Sequence, residues 1–181
     1  MDPYTRLTKR EIYRNPWVAV EVHDIVHPTG MPGEHVLIVT PPASAVLVVD
    51  GDGFIFARQP RFGARSAQVE VVKGGTDGGE DKLACAQREL REELGIEAER
   101  WQSLGFVYEI PSLVEERVAI FVASGIVRVG TEQEAVESIE PHRLSIDDAY
   151  AACVDGRIDD AVTLAALFRF RLLGVTGATG S

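Results

Sequence analysis

Cysteine is scarce in this sequence of 181 residues, which contains two, Cys85 and Cys153. Neither lies in the paired spacing of a zinc module, and two cysteines cannot form a disulfide-rich scaffold. So few cysteines are typical of a reducing compartment. The sequence also lacks the apolar run of about 18 residues that a transmembrane helix needs, and no signal-peptide apolar segment follows residues 1–6. These absences predict a cytoplasmic protein that does not insert into membranes.

Positive charge is in the minority. The 18 Lys and Arg residues are outnumbered by 28 Asp and Glu residues, which gives a formal net charge of −10. Proteins that bind nucleic-acid phosphates or anionic membranes depend on basic surfaces, so we expect neither partner. A small anionic ligand is compatible with this charge if local cations or metal ions receive it. Hydrophobic residues make up 45% of the chain, which at this length indicates one globular domain.

The order of local patterns predicts strands first, then one central helix, then terminal helices. Strands are predicted over residues 18–26, 34–40, 45–49, 54–58, 104–110, 117–122 and 136–139. Helices are predicted over residues 80–94, 146–154 and from Asp159 or Asp160 to about residue 173. This order favours an α+β fold with a mixed sheet. Residues 175–181 are rich in Gly and Thr and are predicted to form a flexible tail.

Three acidic residues of the central predicted helix share one of its faces. At about 100° per residue, Glu92 lies about 60° to one side of Glu89, and Glu93 lies about 40° to the other. Like charges this close are mildly unfavourable on a helix, but Mg²⁺ prefers several oxygen ligands and reverses that effect. The glycine-rich loop at residues 74–79 allows the backbone before the helix to approach a ligand closely. The alternative is an acidic helix face exposed to solvent.

These residues belong to a longer pattern that resembles the Nudix box. Every defined position of the box is filled between residues 74 and 96, by Gly74, Glu80, Arg88-Glu89-Leu90, Glu92-Glu93 and Gly95-Ile96. The resemblance implies a Nudix-type α/β/α sandwich around a mixed sheet, with the box as a loop–helix–loop. It also implies hydrolysis of a nucleoside diphosphate linked to another moiety, with Mg²⁺ or Mn²⁺ as cofactor. A bound metal ion reconciles an acidic protein with an anionic substrate.

The resemblance assigns the chemistry of the box to few residues. Glu89 and Glu93 correspond to metal ligands, and Glu92 corresponds either to a third ligand or to the group that activates water. The backbone carbonyl of Lys73, directly before the first glycine of the box, has a metal role in relatives. Arg88 is implied to act in catalysis by orienting the carboxylates.

The remaining box residues are expected to shape the loop that surrounds the site. Glu80 stands at the start of the predicted helix, where a carboxylate suits the helix dipole. Gly74 opens the loop, and Gly95 is a natural stop for the helix. We therefore expect Gly74, Glu80 and Gly95 to be structural.

Residues outside the box resemble the ADP-ribose pyrophosphatase branch of this family. Pro111 lies 15 residues after Ile96, where the branch has a marker proline, and Glu70 lies four residues before Gly74. The branch implies substrate-binding roles for these two residues and for three others, namely Arg61, Glu116 and Trp17. Its catalytic Glu on a later loop corresponds to Glu137, although an exposed polar loop would also explain the acidic segment 131–140.

The leading expectation is metal-dependent hydrolysis of ADP-ribose to AMP and ribose 5-phosphate. Val72-Lys73 stands where the branch has Pro-Ala, which keeps nucleotide sugars and dinucleoside polyphosphates as alternative substrates. A non-catalytic nucleotide-binding module is a further alternative, although all box carboxylates are present. Branch relatives are often homodimers with exchanged N-terminal strands. We therefore expect a homodimer, with an N-terminal antiparallel β region at residues 1–40 and the hydrolase domain at 41–174.

Overall fold

A computed structural model describes residues 3–131, 133 and 138–174 of the chain. These residues form strands and helices in the following order: β1 (Thr5–Arg14), β2 (Ala19–Val26), β3 (Pro32–Val39), β4 (Ala43–Asp50), β5 (Gly53–Arg61), β6 (Ser66–Glu70), β7 (Val72–Gly75), α1 (Lys82–Leu94), β8 (Ile96–Tyr108), β9 (Arg117–Arg128), β10 (Glu140–Ser145), α2 (Ile146–Asp155) and α3 (Ala161–Leu172). The chain divides into two compact units, one of residues up to 42 together with 108–117, the other of the remainder.

The first unit contains an antiparallel sheet in the order β1-β2-β3. Every residue of β1 is exposed, so this strand lacks the alternation of buried and exposed residues that sequence analysis relies on, and it was not predicted. Residues 108–117 join this unit through the N–H of Ile38, which donates to the carbonyl of Leu113 at 2.8 Å. Such a distant segment leaves no local signal in the sequence.

The second unit is built on a mixed sheet in the order β10-β5-β4-β9-β8, with β6 beside β5 and β7 beside β4. The pair β4–β9 is parallel, whereas β4 pairs antiparallel with β5 and β7. A hairpin around Asp50-Gly51-Asp52-Gly53 joins β4 to β5. The prediction of an α+β fold with a mixed sheet is therefore confirmed.

The central strand β4 divides the second unit into two apolar layers. Ala45, Leu47 and Val49 point to the layer that contains α2 and α3. Val46 and Val48 point to the opposite layer, which contains α1. Because side chains alternate along a strand, one apolar strand serves both layers. This arrangement is the predicted α/β/α sandwich.

Side-chain caps determine where the helices begin. Asp81 accepts hydrogen bonds from the N–H groups of Leu83 and Ala84, so α1 begins two residues later than the sequence predicts. Ser145 caps α2, which begins at Ile146 as the sequence predicts, and Asp160 caps α3. Among the described residues, no helix is both long and apolar enough to cross a membrane.

Gly95 ends α1 in a place where a side chain cannot fit. Its φ of 60° lies in the left-handed region, and a Cβ there would lie 2.6 Å from the carbonyl oxygen of Val129. Gly51 has a similar φ of 61°, but a Cβ there would meet nothing within 4 Å. Substitutions at these two glycines therefore distinguish the cost of backbone strain from the cost of crowding.

Gly95→Ala is expected to lower the free energy of unfolding by roughly 2–4 kcal/mol, because strain and overpacking add. The matched Gly51→Ala variant should lose only about 1 kcal/mol, from strain alone. Urea denaturation of both variants measures the difference. Equal losses would show that the approach of Val129 to Gly95 does not matter for stability.

Candidate active site

The glycine-rich loop and the helix α1 meet at Gly74. The carboxylate of Glu89 lies against this glycine so closely that a Cβ at position 74 would overlap it. Strand β4 organises both partners. Its residue Ser44 pairs with Gly74 in the sheet, and the Ser44 hydroxyl donates to the carbonyl of Lys82 at the start of α1 at 2.7 Å. The strand therefore positions the loop and the helix together.

Arg88 joins the carboxylates of the helix to the loop before it. Its Nη1 donates to Glu89 Oε1 at 2.8 Å and to Glu92 Oε2 at 2.9 Å. Its Nη2 donates to the carbonyl of Gly75 at 2.7 Å and to Glu80 Oε2 at 3.1 Å. Arg88 therefore contacts both the helix carboxylates and the loop, while its orienting role and the structural role of Glu80 stay predictions.

The charges of this cluster stabilise one another. Burial disfavours the Arg88 guanidinium ion, but hydrogen bonds and charge from Glu80, Glu89 and Glu92 outweigh that effect and raise the pKa of Arg88. The hydrogen bond from Arg88 in turn holds the pKa of Glu80 below its usual value, against a smaller opposing effect of burial. Both groups are therefore ionised at neutral pH.

The three carboxylates of the helix face differ in their access to solvent. Glu93 is 4% exposed, and the side chain of Glu89 is 13% exposed. The side chain of Glu92 is 34% exposed and lines a groove of about 420 Å³ together with Arg88 and Trp101. Glu93 is therefore the most buried carboxylate of the face and Glu92 the most exposed, so Glu92 is the one best placed to contact water.

The donor chemistry of this face fits a divalent cation. Carboxylate oxygens are the hard ligands that such ions prefer. Because Gly74 has no Cβ, the Glu89 carboxylate can lie directly against the backbone of the loop. Within the described ranges, no three acidic, His or Cys side chains already converge as a metal cage. The Arg88 guanidinium instead lies between Glu89 and Glu92.

Lys73 belongs to a second ionic cluster. Its Nζ lies 2.8 Å from Asp160 Oδ1 and 3.2 Å from Glu70 Oε2. Glu70 is buried and also accepts from Arg61 Nε at 2.6 Å. These four residues line one cleft of about 530 Å³. The structure thus brings Arg61, Glu70 and Lys73 together, and their part in substrate binding stays a prediction.

The other candidate site residues lie elsewhere in the chain. Trp17, Pro111 and Glu116 belong to the first unit, where the Trp17 side chain is exposed and Pro111 lines a cleft of about 550 Å³ with Tyr4. Their substrate contacts stay predictions. Glu137 lies outside the described residues, as does Val136 of the strand predicted at residues 136–139. Ser138 and Ile139 are described and precede the strand β10, which begins at Glu140, so the predicted position of that strand is wrong.

Sequence analysis missed Gln133, which supports the far end of α1. Its Nε2 donates to the carbonyl of Glu93 at 2.7 Å and to the carbonyl of Ile139 at 2.9 Å. The first of these carbonyls belongs to the last turn of the helix, where backbone acceptors lack partners within the helix. An amide that bonds to distant backbone groups follows no spacing rule, so no sequence signal marked it.

Comparison with known proteins identifies the family. The NUDIX domain model matches residues 39–166, which is more than half of the chain and includes the whole box. The chain belongs to the Nudix family. The prediction made from the box is confirmed, and with it the class of a Nudix hydrolase. Hydrolases of this family generally need divalent metal ions.

Individual relatives match nearly the full length of this Nudix protein. A methanol dehydrogenase activator from Bacillus methanolicus is 28% identical over 163 residues, which cover 87% of this chain and 86% of the relative. The ADP-ribose pyrophosphatase of Bacillus subtilis strain 168 is 27% identical over 164 residues, which cover 89% of each. The crystal structure of an ADP compounds hydrolase superposes with a TM-score of 0.83 and 24% identity, covering 94% of this chain and 93% of that one. This last likeness shows the fold.

Replacing Arg88 by Lys is expected to weaken Mn²⁺ binding and turnover by roughly 10–100-fold, because an ammonium ion cannot reproduce the fork of donors that orients the carboxylates. Arg91→Lys is the matched control on the same helix, since Arg91 is exposed and lies 3.9 Å from a carboxylate oxygen of Glu97, outside the cluster around Arg88. Mn²⁺ titration and diphosphate hydrolysis measure the two effects. If Arg88→Lys and Arg91→Lys behave alike, Arg88 does not organise the site.

Proposed function

We propose that this Nudix hydrolase cleaves ADP-ribose to AMP and ribose 5-phosphate with Mg²⁺ as its metal ion and Mn²⁺ as a substitute. The observation that carries the proposal is the complete box, folded so that Glu89 and Glu92 share the Arg88 guanidinium beside the glycine-rich loop. The near full-length match to an ADP-ribose pyrophosphatase supports the choice of substrate.

The reaction needs water to attack one phosphorus atom of the diphosphate, so that the P–O–P bond breaks and each product leaves with a phosphate. When bound, a divalent ion neutralises the diphosphate and lowers the pKa of the attacking water. Glu89 and Glu93 would hold this ion, with the Lys73 carbonyl as an additional oxygen donor. Arg88 orients Glu89 and Glu92 through the hydrogen bonds of Nη1.

A base must accept the proton of the attacking water. Glu92 is proposed for this role because it is the most exposed of the three carboxylates on the helix face. Glu137 is the alternative, on the ground of the branch resemblance alone. A carboxylate at either position would act as general base only within hydrogen-bond reach of the water.

The proposal includes a cytoplasmic homodimer. The first unit exposes several large apolar side chains along and beside β1, namely Tyr4, Leu7, Ile12, Tyr13 and Trp17. Exposed large apolar side chains concentrated in one part of a chain favour a protein–protein interface there. A second copy of the chain would cover these side chains, in agreement with the homodimers of the branch that the sequence resembles.

A substrate panel tests the proposed activity. We expect the highest kcat/KM with ADP-ribose among ADP-sugars, GDP-mannose, UDP-glucose, NADH, diadenosine polyphosphates and nucleoside triphosphates. EDTA should abolish turnover, and Mg²⁺ should restore it. Phosphate released by a coupled phosphatase, with identification of AMP and ribose 5-phosphate, provides the measurement. A higher kcat/KM with another compound would support metal-dependent diphosphate hydrolysis but reject ADP-ribose as the preferred substrate. Nucleotide binding without turnover would favour a regulatory module.

Glu93→Gln tests the metal ligands. The amide keeps the shape of the side chain but loses the charge that would hold the metal ion. Turnover should therefore fall by more than about 100-fold. Loss of a residue that only supports a metal ligand lowers activity by up to that factor. Glu97→Gln, at an exposed acid just beyond the box, is the control and should keep its turnover. Activity that survives in folded Glu93→Gln protein would reject this ligand assignment.

A further inference from the structure

Lys73 and Gly74 are neighbours in β7 but face opposite layers of the second unit. Val71 packs in the layer of α2 and α3, and Val72 packs in the layer of α1. Because alternate side chains along an extended segment point to opposite faces, Lys73 faces α3 and Gly74 faces α1. The observed contacts agree. Lys73 Nζ donates to Asp160 at the start of α3, and the Glu89 carboxylate lies against Gly74.

Asp160 connects this lysine to the first turn of α3. Its Oδ2 accepts from the N–H of Thr163 at 2.8 Å and from the Thr163 hydroxyl at 2.7 Å, while its Oδ1 accepts from Lys73 Nζ. The Thr163 hydroxyl oxygen also accepts from the N–H of Val71 at 2.9 Å. Two separate links therefore join the segment 71–73 to the start of α3.

The ionic cluster around Lys73 is shielded from solvent. The side chain of Lys73 is 17% exposed, and that of its partner Glu70 is 2% exposed. In such surroundings the attraction between opposite charges is strong, and removal of one partner leaves a costly uncompensated charge. The cluster therefore adds a restraint on the β7 backbone to the one that its pairing with β4 already gives.

We propose that Lys73 is a positioning residue for the metal site. Its ammonium ion, held between Asp160 and Glu70, fixes the backbone of residues 73–75 against the carboxylate face of α1. The affinity of that face for a divalent cation then depends on an ion pair on the opposite side of the sheet. This inference rests on the proposed metal-dependent function, and it gives the side chain of Lys73 a role separate from that of its backbone carbonyl.

Mn²⁺ binding to the full-length, EDTA-stripped protein tests the inference without any turnover. The dissociation constant is measured by electron paramagnetic resonance for the wild type and for Lys73→Met, Lys73→Arg and Asp160→Asn. Asn caps helices as well as Asp does, so Asp160→Asn removes the charge and keeps the cap. Arg143→Met is the control, because it removes an exposed ion pair with Asp52 in the same unit.

We expect Lys73→Met and Asp160→Asn each to raise the Mn²⁺ dissociation constant by about tenfold. The double variant should bind Mn²⁺ no more weakly than the weaker single variant, because Lys73→Met alone already breaks the pair with Asp160. Lys73→Arg should restore binding close to that of the wild type, and Arg143→Met should leave it unchanged.

An unchanged dissociation constant in folded Lys73→Met would overturn the inference, even if its melting temperature falls, because Lys73 would then contribute to stability alone. If Lys73→Met does not fold, Asp160→Asn decides in the same way. A wild-type protein that binds no Mn²⁺ would instead reject the metal dependence in the proposed function, and the inference with it. The wild-type titration therefore separates the two failures.

Discussion

Repulsion among the acidic side chains of α1 is the constraint on which the surrounding structure depends. Glu89 and Glu92 lie on one helix face, and Glu80 approaches them from the loop. In partly buried surroundings, where water screens charge poorly, these carboxylates would repel one another. Arg88 offsets the repulsion and also donates to the Gly75 carbonyl, so one cation both neutralises the face and holds the loop beside it. The charge of the helix therefore helps to determine the shape of the loop, together with the pairing of the loop's first residues with β4.

The sheet holds this charged helix in place through contacts at both ends. At its start, Asp81 caps the first turn, and Ser44 of β4 bonds to the carbonyl of Lys82. At its end, Gly95 admits the carbonyl of Val129. Between the two ends, Leu90 and other apolar residues pack in the layer shared with β4. A helix restrained at both ends by a rigid sheet keeps its carboxylates in register with the loop, which a metal site requires.

The parts of this site that could be predicted are those carried by one contiguous segment. Helical periodicity is local, so the spacing of the box determines that Glu89, Glu92 and Glu93 share a face and that Arg88 reaches Glu92 four residues later. The pair of Lys73 with Asp160 joins residues 87 positions apart, and the contact of Gln133 with Glu93 spans 40. Such pairs depend on how the sheet is assembled, which local patterns do not encode. The place of residues 108–117 was missed for the same reason, whereas β1 was missed because all of its residues are exposed and show no alternation.

The cations nearest the box explain how an acidic protein handles an anionic substrate. Arg88 is engaged by Glu80, Glu89 and Glu92, and Lys73 is engaged by Glu70 and Asp160. Their positive charge is already paired with carboxylates of the chain itself. Bound metal ions would add the positive charge that a diphosphate requires, and the net charge of −10 favours binding of such ions. A metal ion held by Glu89 or Glu92 would compete with Arg88 for the same oxygens, so this arginine would both preorganise the face and limit its affinity for the ion.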